Sequence, residues 1–233
     1  HAWMNVAGDS EFAMRYISLI LSVLLLPLLF QMGRLLGSQR LGVLLAGVGA
    51  VSQPLVWMAQ DLRNQYALAA VFAALATLLL IRAVERPSWQ RWAAYAAASS
   101  LAVFGHYYGA FMLPAHGLYT LSVPEWRKRF RSWGLSALSV GLCLVPWMLV
   151  MWPRMTRAGQ LAEPSRPELG AHLAVIGAEL TVGSALGLRT GRWFLLAALG
   201  VSLLGARALL RRARASAVLL VGWVGVAALL TYL

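Results

Sequence analysis

Gln60-Asp61-Leu62-Arg63-Asn64-Gln65-Tyr66 is a short polar break between two long apolar runs, and its surroundings decide the fold. Leu41 to Gln60 is 20 residues without a charge and Asn64 to Ile81 is 18. A bilayer-crossing helix needs about 20 apolar residues, so both runs qualify as spans and the break lies at one membrane face. Asp61 is placed to cap the second helix, with Arg63 in its first turn, where free N–H groups and the helix dipole favour an anion. An arginine there makes a phosphate site. The alternative is that Asp61 only caps and Arg63 only anchors the helix at the interface by snorkelling out of the lipid.

The composition agrees with a membrane chain. Hydrophobic residues make up 60% and charged residues 12% of 233, against about 25% charged in a soluble domain, and the mean hydropathy is +0.69. The expected architecture is all-α, a polytopic transmembrane bundle forming one domain over residues 1–233 with about eight spans. These are Tyr16–Gly33, Leu41–Gln60, Asn64–Ile81, two within Trp92–Pro124, Gly134–Trp152, Trp193–Leu210 and Ser216–Leu233. Trp92–Pro124 has 33 residues without a formal charge, so it divides into a helical hairpin turning at His106-Tyr107-Tyr108-Gly109. Residues 153–191 form a long outer connection. Within it Ser165 and Glu168 have capping-box spacing and Leu169, Leu173, Ile176 and Leu180 share one face, which predicts an amphipathic surface helix, a lid or simple interfacial packing.

Net charge +12 raises the question of nucleic acid, and its distribution answers it. The alternate loops near residues 34–40, 82–91, 127–131 and 207–214 carry 13 Lys and Arg against two acids, while the other side carries 7 against 6. The resulting net charges of +11 and +1 follow the positive-inside rule, so the basic loops face the cytoplasm and nucleic acid is not a partner. The central break, the His106 turn and the 153–191 connection then face outward. Arginine far outnumbers lysine, pointing to a high-GC bacterium and its cytoplasmic membrane.

Three polar sets meet on the outer face: Asp9, Glu11 and Arg15; Asp61, Arg63 and Tyr66; and His106, Tyr107 and Tyr108. Arg15 on the outside runs against the charge rule. A phosphate partner explains it, as does an i, i+4 pairing with Glu11. His106 and its tyrosines are suited to hydrogen-bond a sugar or phosphate, or to form an aromatic belt. Cys143 lies inside an apolar run, and no set of residues has metal-ligand spacing. There is no Gly-rich phosphate loop, HExxH or nucleophile elbow.

The order Gly8-Asp9-Ser10-Glu11-Phe12-Ala13-Met14-Arg15, Pro27, Ser52-Gln53-Pro54, Gln60-Asp61-Leu62-Arg63, Tyr66-Ala67-Leu68, Gly105-His106-Tyr107-Tyr108-Gly109 and Val145-Pro146-Trp147 resembles the polyprenyl-phosphate-sugar-dependent glycosyltransferases. These are the membrane GT-C enzymes of the dolichyl-phosphate-mannose protein mannosyltransferase type, including the bacterial glycosyltransferase family 39-like proteins. The resemblance implies an enzyme that moves a hexose or pentose from a polyprenyl-phosphate donor to a hydroxyl of a glycan, lipid or protein acceptor on the extracytoplasmic face. Arg63 and Arg15 would neutralise the departing phosphate. Asp61, Tyr66, His106, Tyr107 and Tyr108 would shape the sugar pocket, with Asp61 the carboxylate of this chain given a catalytic role.

The family's acidic pair lies upstream of the segment resembling the one that begins at His1. The chain is therefore expected to be a fragment, inactive in sugar transfer on its own, preceded by a further span and an acidic outer loop that supplies the general base and would hold any divalent cation. A transporter or flippase instead calls for ionisable residues mid-span, where only His116 lies. A non-catalytic membrane subunit is the third reading.

Overall fold

The computed structural model describes residues 2–161 and 215–223, and every regular element among them is helical. A short helix α1 (Ala2–Ala7) ends at Gly8, whose φ of 83° lies where glycine alone is unstrained. Ser10 then caps α2 (Glu11–Leu36), its hydroxyl accepting from the Ala13 N–H at 3.2 Å. Ser38 caps α3 (Gln39–Val51) in the same way. Gly33 and Gly42 let the backbones of α2 and α3 touch: a Cβ on Gly33 would fall 2.6 Å from the Gly42 Cα.

The run expected as one span from Leu41 to Gln60 is a bent pair. It breaks at Ser52, and α4 (Gln53–Gln60) turns 55° from α3. Pro54 is the cause. Its missing N–H and its ring cost least in a first turn, and here the chain starts a new helix, whereas Pro27, Pro146 and Pro153 are carried inside longer helices.

The centre of the bundle is α5 (Gln65–Glu85), close to the span expected over Asn64–Ile81. Its alanines, among them Ala73, Ala76 and Ala83, are buried and let α6 (Trp89–Gly105) approach closely. Ser88 caps α6 through the Arg91 N–H. A 3₁₀ turn over Tyr107–Phe111 and α7 (Met112–Ser122) complete the expected hairpin. The 3₁₀ turn Pro124–Arg129 leads into α8 (Phe130–Leu161). This helix runs through Pro153, where the outer connection was expected to begin, and carries Pro146 and Pro153 within it.

Residues 215–223 are helical and seat Leu219 in the core with Leu80, Ile81, Val84, Tyr95 and Ala102. Ser216 donates to the Leu36 carbonyl at 3.1 Å, fixing this segment to the end of α2. The span expected over Trp193–Leu210, the end of that over Ser216–Leu233 and the amphipathic helix of the 153–191 connection lie outside the described residues.

The outer surface is apolar along whole helices. Leu19, Val23 and Leu24 on α2, Val43, Leu44 and Val48 on α3, and Leu135, Leu138, Leu142 and Leu149 on α8 are all exposed. Surface of this kind is at home in lipid and an aggregation hazard in water. Among the described residues α2, α5 and the segment ending in α8 are long and apolar enough to cross a membrane, and the bent α3–α4 pair makes a fourth crossing if counted as one. The protein is thus an all-α membrane bundle.

Candidate active site

The loop between α4 and α5 is built by its own side chains. Asp61 does not cap α5; Asn64 occupies that position without a side-chain hydrogen bond to the helix backbone, and Arg63 lies in the loop, not in the helix's first turn. The Asp61 Oδ1 instead accepts from the Arg63 backbone N–H at 3.0 Å, an Asx turn, and from the Arg63 Nε at 3.4 Å. The other carboxylate oxygen, Oδ2, is buried and lies 3.3 Å from the Arg63 guanidinium without hydrogen-bond alignment. Asp61 therefore holds Arg63 at both backbone and side chain. The Asp61 side chain is 10% exposed and that of Arg63 58%, so the cation of the pair is the partner open to a ligand.

The charges follow from that geometry. Partial burial pushes the Asp61 carboxyl up, but the Arg63 N–H, its guanidinium and the more distant Arg15 outweigh burial and hold the carboxyl below its ordinary value of 3.8. The Asp61 hydrogen bond and charge in turn raise Arg63.

Helix α2 anchors the loop. Ser18, fully buried, has its hydroxyl 2.7 Å from the Asp61 carbonyl and 2.5 Å from the Asn64 Oδ1. A hydroxyl has one proton, so it serves one acceptor at a time, or the Asn64 amide turns over and donates to it. One turn earlier Arg15 pairs with Glu11, as its i, i+4 spacing suggested, and still reaches Asp61 through its charge. Asp9 precedes the helix cap Ser10.

The third set joins through aromatic rings. Tyr66 takes the Arg63 guanidinium 5.1 Å from its ring centre and stacks on His106 at 4.9 Å. His106 in turn meets Tyr107 at 4.5 Å and Tyr108 at 4.7 Å, while Trp57 of α4 approaches Tyr66 at 6.3 Å. Gly105 makes this possible: a Cβ there would fall 3.0 Å from the Ala69 nitrogen and push α6 away from α5. The His106 Nδ1 accepts from the Tyr108 N–H at 3.2 Å, which leaves Nε2–H as the ring's donor. Burial lowers the His106 pKa from 6.5, so the ring is neutral at pH 7. Tyr107 is raised by its hydrogen bond with Tyr108 and by burial; both rings are about half exposed.

The seven residues to which the resemblance gives a site role thus share one end of the bundle: six form a connected chain from Asp61 to Tyr108, and Arg15 acts on it by charge. The arrangement offers an exposed cation able to pair with an anion, with a neutral imidazole donor and phenol hydroxyls able to hydrogen-bond polar oxygens. Among the described residues no group of three or more His, Cys, Asp or Glu is placed to hold a metal ion. Ser18, Asn64 and Trp57 were missed. Ser18 was findable, because it stands three residues after Arg15 and hence on the same helix face.

A second polar cluster, inside the bundle, was also missed. His116 is fully buried, with the Tyr95 hydroxyl 3.1 Å from Nδ1 and the Thr77 hydroxyl 3.1 Å from Nε2. The Trp223 indole N–H donates to Nε2 at 3.4 Å. An indole can only donate, whereas the Thr77 hydroxyl gives its proton to the Ala73 carbonyl at 2.8 Å, so Nε2 either accepts from Trp223 or donates to Thr77, and Nδ1 takes the complementary role toward Tyr95.

An all-α bundle with apolar spans of this length belongs among integral membrane proteins. Within that class the chain belongs to the dolichyl-phosphate-mannose-protein mannosyltransferase family, whose family model matches residues 1–152 and so includes every residue of the cluster. No curated protein and no solved structure matches the chain.

Proposed function

We propose that the protein transfers a sugar from a polyprenyl-phosphate donor to an acceptor hydroxyl at the extracytoplasmic face, with the Asp61–Tyr108 cluster as its donor site. The observation that carries this reading is the exposed Arg63, oriented by Asp61 and set against the Tyr66–His106 stack. Negative charge grows on the phosphate as it departs, and a cation already fixed in place stabilises that charge without reorganising. Arg15 adds a second positive charge. His106 Nε2–H and the hydroxyls of Tyr107 and Tyr108 supply donors for sugar oxygens. Asp61 serves as the positioning residue for Arg63; its ion pair makes it a weak proton acceptor.

The test uses membranes containing the complete protein, with any segment encoded upstream of His1, and a panel of polyprenyl-phosphate hexoses and pentoses. Arg63→Gln should lower transfer by about 10²-fold, the usual loss for one preorganised transition-state donor, and Arg63→Lys should keep part of it. Unchanged transfer by Arg63→Gln overturns the assignment. The face is read with reporters: one fused after Arg131 should report cytoplasmic and one inserted near Gly159 external. The reverse pattern moves the cluster to the cytoplasm.

A further inference from the structure

Four arginines from three helices gather at the end of α5 remote from the Asp61–His106 cluster. Arg34 lies in the last turn of α2, Arg82 and Arg86 at the end of α5, and Arg91 in the first turn of α6. With Leu35, Leu79 and Glu85 they line a cavity of about 510 Å³, inside the range of about 300–1,000 Å³ usual for small-molecule sites. Four arginines against one glutamate leave this lining with three net positive charges. The placement is specific. The Arg91 guanidinium donates to the backbone carbonyls of Arg82 and Arg86, so it satisfies the free end of α5 and braces the rim. Arg34, Arg82 and Arg86 form no ion pair among the described residues.

Orienting a membrane protein needs only basic loops, with no cavity and no convergence of helices. Here the four arginines line a hollow whose remaining lining is Leu35, Leu79 and Glu85, at the end of a helix that crosses the bilayer. Arginine forks match phosphate oxygens in pairs, and a basic pocket between helices at the membrane boundary is placed to meet lipid headgroups. We infer that this cavity binds the phosphate of an anionic glycerophospholipid, with Arg34, Arg82 and Arg86 on the phosphate and Leu35 and Leu79 against the start of an acyl chain. The site is independent of the sugar-transfer reading, since it lies at the opposite end of the bundle.

The full chain is purified in nanodiscs of phosphatidylcholine with graded phosphatidylglycerol, and retained lipid is counted by native mass spectrometry. The wild type should retain one phosphatidylglycerol in preference to phosphatidylcholine. Arg34→Gln/Arg82→Gln/Arg86→Gln should weaken retention by about a hundredfold, near fivefold for each charge removed. Arg34→Lys/Arg82→Lys/Arg86→Lys keeps the charges that set orientation but loses the forks, and should weaken it about tenfold. It carries the test alone if the glutamine variant fails to insert. Glu85→Gln should strengthen retention. Equal retention of the two lipids by the wild type, or wild-type retention by the lysine variant, overturns the site. Displacement of the lipid by millimolar inorganic phosphate makes it a soluble-anion site and overturns the lipid assignment.

Discussion

His106 and His116 stand ten residues apart in the sequence, each beside tyrosines, and do opposite work. His106 sits at the end of α6 with partly exposed rings around it and a donor to spare. His116 is sealed in the bundle, with partners on α5, α6 and the 215–223 helix at both ring nitrogens. The first resembles half of a binding site, the second a finished joint. Spare hydrogen-bonding capacity, rather than residue type, separates a ligand site from a scaffold.

The comparison is sharpened most by His116→Ala. Removing the ring leaves a cavity and orphans the Tyr95 hydroxyl and the Trp223 indole, so stability in detergent should fall by about 2–4 kcal/mol, read from thermal unfolding. Sugar transfer measured below the new melting point should persist, and a variant that melts as the wild type does would break the contrast. Ser18→Ala should show the reverse balance. It frees the loop from α2 and should lower transfer by about tenfold, equivalent to roughly 1.4 kcal/mol, with little change in melting.

The smallest effect is in pH. His106 is lowered in the folded chain, so the unfolded chain binds more protons just below pH 6.5. Its contribution to stability is complete above 6.5, falls as the pH drops through the lowered native value, and is abolished in His106→Gln. Asp61 behaves likewise in its own window: its contribution is present above 3.8 and lost as the pH falls through the depressed native value. Melting curves across both windows, wild type against each variant, read the two separately.

The sequence made the helices legible because long uncharged runs leave few alternatives, although the start of α2 at Glu11 lies five residues before the span expected from Tyr16. It concealed the bend at Ser52, since Pro54 is as compatible with a kinked span as with a new helix. At the site, the grouping of Arg15, Arg63, Tyr66 and His106 was readable from the topology, which puts alternate loops on one face. The local chemistry was not. Whether Asp61 caps α5 or holds Arg63 depends on φ and ψ over three residues, and no pattern of residue types sets those. His116 was passed over because a lone histidine in an apolar run says nothing about Tyr95 or Trp223, which reach it only through helix packing.

The bend at Ser52 also bears on the depth of the chemistry. Along the axis of α3 its 13 residues rise about 20 Å, and the 8 residues of α4, turned by 55°, add only about 7 Å. Together they fall a few ångströms short of a hydrocarbon layer about 30 Å thick, whereas the 21 residues of α5 match it. A hairpin with one short arm draws its connecting loop below the level of the headgroups or dimples the bilayer to meet it. The thickness of the surrounding membrane thereby becomes a control on how much water reaches Arg63.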